Sequence, residues 1–169
     1  QTQAAIFIEP YLGYYKGESE ISSTTSTTID QKGIGYGARL GFTLGSMFFI
    51  AADGLLVKGS YKTQAGVSED LEILDYAGIL GMNLGDIRVW GGYIFQSNRE
   101  DEDAGMTTEY DGKGWKAGIG YILGRKVSLN IEYIVNKVDS IDGVDLPSGT
   151  TTSIENTGFF ASLSFPIGF

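Results

Sequence analysis

Residues 33–44 alternate strictly between two kinds of side chain, and this alternation limits the possible folds more than any other feature. Every second position from Ile34 to Leu44 is apolar, whereas the positions between are glycine apart from Arg39 and Thr43. A period of two is typical of a β-strand whose faces meet different surroundings. Glycines with one arginine make a poor water-facing surface, so we expect the apolar row to face lipid. The glycine row then lines a narrow interior and leaves room for long charged side chains from neighbouring strands.

Seven further segments show the same contrast, with varying clarity. They are Ala4–Tyr15, Phe48–Val57, Leu71–Leu84, Ile87–Gln96, Gly114–Leu123, Val127–Lys137 and Gly158–Phe169. The sequence therefore predicts eight strands of about ten residues, the length that a tilted strand needs to cross hydrocarbon. In the fifth of these strands we expect Gln96 to face inward with Arg88. Proline cannot donate a ladder hydrogen bond, so we expect a bulge or local break at Pro10.

The connections between these strands alternate in length. Tight turns are predicted at Gly45-Ser46, Gly85-Asp86 and Gly124-Arg125, and long polar loops at residues 17–32, 58–70, 97–112 and 139–153. No strand edge can stay unpaired in lipid, so the sheet must close. We predict an all-β fold: an eight-stranded antiparallel up-and-down transmembrane β-barrel, with residues 1–169 as a single domain. It has short turns at one end and four longer loops at the other, and the even strand number places both termini at the short-turn end.

Charged residues recur on the predicted inner face. They are Glu9, Arg39, Asp53, Asp75, Arg88, Lys116 and Glu132. An eight-stranded barrel is just wide enough for side chains to fill it, and an isolated buried ion costs several kcal/mol. We therefore expect these charges to form an ion-paired network in the lumen. A second interpretation is a narrow gated pore, in which the pairs exchange partners and let small ions pass.

Aromatic residues gather toward both ends of the predicted outward face. Toward the long loops these are Tyr14, Tyr36, Tyr93, Trp115 and Tyr133, and toward the short turns Phe42, Phe48, Tyr121 and Phe165. Tyrosine and tryptophan concentrate where hydrocarbon meets water, so two such rows predict aromatic belts. The opposite arrangement, a soluble ligand-carrying barrel of lipocalin type, would need apolar residues inside and polar ones outside.

Composition excludes several kinds of chemistry. The chain has no cysteine and no histidine, which removes disulfides, thiolate sites, Ser-His triads and the commonest metal ligand. No G-x-S-x-G nucleophile motif occurs. A net charge of −9 argues against a nucleic-acid partner. We expect no enzyme activity, no cofactor and no metal.

An acidic run stands out in the third predicted loop. It comprises Glu100, Asp101, Glu102 and Asp103, with Glu109 and Asp111 nearby. The simplest interpretation is a solvated, self-repelling loop. The alternative is that calcium or magnesium bridges these carboxylates to lipopolysaccharide phosphates, although the spacing does not match an EF-hand loop.

The C-terminus ends on Phe169, the last residue of an alternating apolar row. This ending resembles the C-terminal signature of bacterial outer-membrane barrels, and the layout of the whole chain resembles the eight-stranded OmpA transmembrane domain and OmpX type. The resemblance implies a location in the bacterial outer membrane, with both termini periplasmic, and recognition of Phe169 by the barrel-assembly machinery. Gln1 begins without a signal segment, as expected of a mature exported protein.

The resemblance leads to a functional expectation. We expect a non-catalytic, monomeric barrel that contacts the bilayer and lipopolysaccharide. It would support the envelope and meet an extracellular partner through its acidic loops. The alternative is the narrow gated ion-conducting pore described above.

Overall fold

Nearly all of the described residues belong to β-strands. The computed structural model describes residues 4–22, 26–62, 66, 68–103, 106–124, 126–146 and 153–168. The strands are β1 (Ala4–Ser22), β2 (Thr27–Leu44), β3 (Phe48–Lys62), β4 (Ser68–Leu84), β5 (Ile87–Asp103), β6 (Met106–Leu123), β7 (Val127–Ile141), β8 (Val144–Asp145), β9 (Ser153–Ser164) and β10 (Ile167–Gly168). No helix in these ranges is long and apolar enough to cross a membrane.

The sheet closes on itself. Strands β1 to β7 pair with their sequence neighbours in antiparallel order, and β9 pairs with both β7 and β1. The short β10 continues the pairing of β9 along β1, and β8 adds two residues to β7. Closure gives each of the long strands β1 to β7 and β9 a pairing partner on both sides. The predicted eight-stranded antiparallel barrel is confirmed.

Three short turns join strands at one end of the barrel. Gly45, Gly85 and Gly124 begin these turns with φ of 70°, 69° and 68°, a left-handed conformation that glycine adopts without strain. Pairing of Ala4 with Leu44 brings the start of β1 to this end, and pairing of Phe7 with Gly168 brings β10 there. Both termini of the described chain therefore lie on the short-turn side.

The strands extend well beyond their predicted limits at the other end. The seven strands β1 to β7 run for 15 to 19 residues, so much of the sequence predicted as loop is paired β-structure. Crossing hydrocarbon takes only about 9–11 residues of a tilted strand. The surplus forms three long hairpins, β1–β2, β3–β4 and β5–β6, that project past the outward aromatic residues.

The local break expected at Pro10 is present in the pairing of β1 with β9 and β10, but β1 has no bulge there. Glu9, Pro10 and Tyr11 pair in unbroken register with Arg39, Ala38 and Gly37 of β2. The interruption lies on the partner strand, where β9 ends at residue 164 and β10 begins at residue 167. The register with β1 is the same on both sides of this gap, and the amide of Phe165 donates to the Pro10 carbonyl at 2.9 Å. The alternation of faces therefore continues through Pro10.

A bulge occurs instead in β5. The pairing of β5 with β6 shifts by one residue between Ile94 and Ser97, and its pairing with β4 shifts between Tyr76 and Ala77. The extra residue moves the Gln96 side chain to the outside, contrary to the predicted inward position. Beyond the bulge every second residue again faces inward, beginning with Ser97.

Inward side chains form layers along the barrel axis. On β3 they follow one another as Phe49, Ala51, Asp53, Leu55 and Val57, all buried. The first two belong to an apolar cluster near the short turns with Phe7, Ile79 and Trp90. The last two belong to a larger apolar cluster toward the hairpins. Asp53 lies between them, so the charged residues occupy a middle layer enclosed on both sides.

Candidate functional site

Arg39 is the centre of the charged layer. Its guanidinium contacts carboxylates from three other strands: Nη1 lies 3.4 Å from Glu9 Oε1, Nε lies 3.3 Å from Asp53 Oδ1, and Nη2 pairs with Glu132 Oε1. The Arg39 side chain is 1 % exposed. A planar guanidinium has donors pointing in several directions, so one arginine can tie β1, β3 and β7 to β2.

Two further cations complete the cluster. Arg88 Nη1 lies 2.8 Å from Glu9 Oε2. Lys116 Nζ pairs with Asp53 Oδ2 and lies 3.1 Å from Glu132 Oε2. Three carboxylates are thus matched by three cations, and each carboxylate contacts two of them. We call these six residues (Glu9, Arg39, Asp53, Arg88, Lys116 and Glu132) the ion cluster. Formal neutrality is what allows so many charges to stay buried together.

Uncharged side chains complete the surroundings of the ion cluster. The Tyr11 hydroxyl donates to Asp53 Oδ1 at 3.0 Å, and the Ser164 hydroxyl donates to Glu9 Oε1 at 2.5 Å. The Arg39 guanidinium lies 4.8 Å from the ring centroid of Tyr11 and 4.7 Å from that of Trp90. These cation–π contacts replace part of the hydration that the guanidinium loses. The sequence analysis did not connect these two rings with the charges.

The inward glycines make room for aromatic rings rather than for the charged side chains that we expected. A Cβ atom at Gly37 would collide with the Tyr11 ring, and one at Gly118 would collide with the Trp90 indole. The same relationship holds between Gly35 and Phe160, where a Cβ would lie 2.6 Å from the ring. Each ring therefore leans over the bare backbone of a neighbouring strand. The charged side chains occupy the space that remains between the rings.

Asp75 does not belong to the ion cluster, although the sequence grouped it there. Its carboxylate is buried on β4, and both its oxygens lie 3.4 Å from the Asn136 amide nitrogen. The same amide donates to the Ser97 hydroxyl at 3.1 Å. No cation lies within 4.0 Å of Asp75 in the described part of the chain. Asp75 lies outside the ion cluster because it pairs with Leu55, which places it in the apolar layer toward the hairpins.

The apolar layer above the ion cluster blocks the lumen. It contains Tyr15, Leu55, Val57, Ile73, Ile94, Ile134 and Phe160, all buried. A cavity of about 10 Å³ remains between this layer and the polar residues Asp75, Arg99 and Asn156. That volume is at the lower limit for one water molecule. At this level the described side chains therefore leave space for about one water molecule.

A second ion pair lies above the apolar layer, and sequence reasoning missed it. Arg99 binds Asp101 with two hydrogen bonds of 2.7 Å and donates a third, of 2.8 Å, to Asn156. Both charged side chains are buried, so Asp101 is not part of a solvated loop as predicted. The Arg99 guanidinium also lies 5.7 Å from the centroid of the Tyr110 ring. Burial of the Tyr110 phenol raises its pKa. Arg99 directly precedes the acidic run Glu100–Asp103. A single cation beside four acidic residues was a signal in the sequence for an ion pair.

Two other residues of the acidic run face outward. Glu100 and Glu102 are exposed, and Glu100 lies directly opposite Glu72 on β4 and Glu109 on β6. Asp111 accepts a hydrogen bond from Asn98 at 2.6 Å. Among the described residues, no group of acidic side chains has an arrangement able to hold a metal ion.

Most residues of the predicted aromatic belts are exposed on the outside. These are Tyr14, Tyr36, Phe42, Phe48, Tyr93, Trp115, Tyr121 and Phe165. Tyr133 is half-buried because its ring packs between Trp115, at a centroid distance of 5.6 Å, and Phe159, at 5.0 Å. The predicted assembly signal Phe169 and the turn residue Arg125 lie outside the described residues.

Comparison with known proteins identifies this architecture by structure alone. No family model matches the sequence, and no curated protein matches it. Neisserial surface protein A is similar in structure, with a TM-score of 0.60 at 15 % identity over 96 % of this chain and 98 % of that chain. So is Ail, the attachment invasion locus protein of Yersinia pestis, solved in complex with the heparin analogue sucrose octasulfate. Its TM-score is 0.65 at 6 % identity, over 96 % of this chain and 99 % of Ail.

A third similar structure is the outer membrane protein OprG from Pseudomonas aeruginosa. Its TM-score is 0.51 at 12 % identity, with 98 % of this chain and 97 % of OprG covered. These similarities extend over the full length of each chain. The chain therefore has the fold of the small eight-stranded outer-membrane barrels, the OmpA and OmpX type that the sequence resembles.

Proposed function

We propose that this protein is a non-catalytic, non-conducting barrel of the bacterial outer membrane, with its termini in the periplasm and its long hairpins outside the cell. The outward apolar residues support insertion into a bilayer. Leu40, Leu80 and Ile119 are each more than half exposed, which water would oppose and lipid would favour. The similarity of the fold to known outer-membrane barrels supports the same location.

The proposal that the barrel interior has a structural role rests on its closed lumen. Ions crossing the barrel would have to pass both the apolar layer and the ion cluster, whose charges already neutralise one another. Neither the filled apolar layer nor the balanced charges favour a conducting path. The ion cluster instead links β1, β2, β3, β5, β6 and β7, and so holds the barrel in one shape. A structural interior leaves the hairpins as the part of the molecule that can meet partners.

The hairpins present a mostly acidic outer surface. Its exposed or half-buried carboxylates are Glu18, Glu20, Asp30, Asp70, Glu72, Glu100, Glu102 and Glu109. Ail was solved with a sulfated polyanion, and carboxylates on this scale would repel such a ligand. We therefore propose a surface-interaction role that excludes polyanions. Binding of sucrose octasulfate to the folded protein at physiological salt would contradict this part of the proposal.

Planar-bilayer recording tests the closed lumen. Folding is established first by heat-modifiable migration on a gel, since a folded barrel migrates differently from boiled protein. The folded protein inserted into a bilayer should give no reproducible single-channel steps. The competing proposal is the narrow gated pore, which is supported by the three carboxylates available to Arg39 as exchangeable partners. Steps of constant size that change in Glu132→Gln or Arg39→Gln would establish the pore and reject the closed barrel.

A further inference from the structure

Exposed lysines form a row just beyond the aromatic residues on the hairpin side. Lys16 follows Tyr14 by two residues on the outward face of β1, and Lys32 precedes Tyr36 by four on that of β2. In the membrane location proposed above, this height corresponds to the outer-leaflet headgroups. The chain carries a net charge of −9, so a cluster of cations at this level needs a specific reason.

Lys16 and Lys32 lie directly opposite each other in the β1–β2 ladder. Like charges in this arrangement repel and destabilise a sheet. Two other lysines in the row have carboxylate partners: Lys58 lies 3.0 Å from Glu72, and Lys137 lies 3.5 Å from Glu155. Within the described residues, by contrast, neither Lys16 nor Lys32 has a carboxylate within 4.0 Å. The next outward pair of this ladder is Glu18 and Asp30, but neither lysine forms a direct ion pair with them, so both ammonium groups can contact an anion.

Two surface depressions meet at Lys16. One, of about 170 Å³, lies between Lys16, Lys32 and Lys62, with the Tyr14 ring and the Asp30 carboxylate also in its lining. Three of the residues that line this recess are lysines from three neighbouring strands.

The other depression, of about 630 Å³, runs across β1, β9 and β7 and is lined by Lys16, Glu18, Thr157 and the rings of Tyr133 and Phe159. Its lining is mostly apolar. A ligand that fits both depressions has an anionic head over the lysines and an apolar chain against the rings.

We infer that Lys16 and Lys32, assisted by Lys62, bind the phosphate group of an anionic lipid in the outer leaflet, with one acyl chain against Tyr133 and Phe159. A phosphate with two negative charges removes the repulsion between the lysines and accepts hydrogen bonds from both ammonium groups. The inference rests on the proposed membrane location. It specifies one lipid position on the barrel rather than general attraction to an anionic surface.

Nanodiscs of phosphatidylcholine, with and without diphosphoryl lipid A, provide the test. Backbone amide resonances of residues 14–18 and 30–34 should shift in a saturable way as the lipid A content rises. Lys16→Gln and Lys32→Gln should each weaken this binding about tenfold, the size of one charge-assisted hydrogen bond. Lys16→Arg/Lys32→Arg should bind as the wild type does. The control Lys126→Gln removes an exposed lysine at the opposite end of the barrel and should have no effect.

The possible failures are distinguishable. A wild type that does not fold into phosphatidylcholine nanodiscs would reject the proposed membrane barrel and this site with it. A folded wild type whose shifts are unchanged by Lys16→Gln/Lys32→Gln would reject the site alone. Equal shifts with inorganic phosphate in detergent would identify free phosphate as the ligand and overturn the lipid assignment.

Discussion

Arg39 on β2 and Glu132 on β7 are 93 residues apart in the chain, yet they form an ion pair at the centre of the barrel, where neither side chain is more than 1 % exposed. Removing one member of a buried pair leaves an uncompensated charge, at a cost of about 3–5 kcal/mol. We expect Arg39→Gln to lose this much free energy of unfolding, measured by urea denaturation in lipid vesicles. Arg88→Gln should lose less, because among the described residues Arg88 pairs with one carboxylate, that of Glu9, whereas Arg39 pairs with three.

The control for this prediction is Lys58→Gln. Lys58 also forms an ion pair, with Glu72, but its side chain is 59 % exposed, so its loss should change the free energy of unfolding by less than about 1 kcal/mol. If Arg39→Gln were no more destabilising than Lys58→Gln, the ion cluster would not be holding the barrel together.

The packing of the Trp90 indole over Gly118 gives a second prediction. The Trp90 indole fills the position of a Cβ at residue 118, so Gly118→Val must displace the ring that packs against Arg39. Overpacking of this kind costs about 1–3 kcal/mol. Gly78→Val is the matched control, because a Cβ at this outward position meets nothing within 4 Å. Unfolding of both variants in the same vesicles should show a loss for Gly118→Val only; equal losses would show that the glycines serve the strand backbone and not the ring.

Outward orientation gives a third prediction. Leu40→Arg places a charge on the outward face of β2 near the middle of the membrane-crossing segment, at a cost of about 2–4 kcal/mol if that face contacts hydrocarbon. Thr28→Arg introduces the same charge on the same face of β2, but on the hairpin beyond the lysine row, and should be nearly neutral. Folding yield and urea unfolding in vesicles check both variants. A nearly neutral Leu40→Arg would mean that this face does not contact lipid.

The barrel and its outward face follow from the sequence because they depend on local alternation. A period of two in the sequence distinguishes the two faces of each strand. A closed sheet is the only arrangement of these strands that leaves no edge in lipid. The identity of the pairs inside does not follow. Arg39 could have met any inward carboxylate, and its three partners depend on the register between strands that are distant in the chain.

Dependence on strand register also explains the sequence predictions that were wrong. One extra residue in β5 reversed the face of Gln96 and brought Arg99 and Asp101 inside, and no proline or turn signal marks this bulge. Pro10, which does carry such a signal, coincides with the break between β9 and β10, but it introduces no bulge and its pairing with β2 is unbroken. The hairpins were predicted as loops because their outward residues are charged, although inward residues such as Ser19, Gln31 and Tyr61 continue the alternation.

The Arg99–Asp101 pair gives the last prediction. Asp101→Asn removes the negative charge and replaces one of the two acceptor oxygens with an NH2 donor, so the buried Arg99 guanidinium loses its carboxylate, at a cost of about 1–3 kcal/mol. We expect faster amide hydrogen exchange across residues 97–110. Glu100→Gln changes the net charge by the same amount on the opposite face, where Glu100 lies between Glu72 and Glu109. Relief of that repulsion should slow exchange or leave it unchanged. If both variants speeded exchange equally, total charge and not the buried pair would control the order of this hairpin.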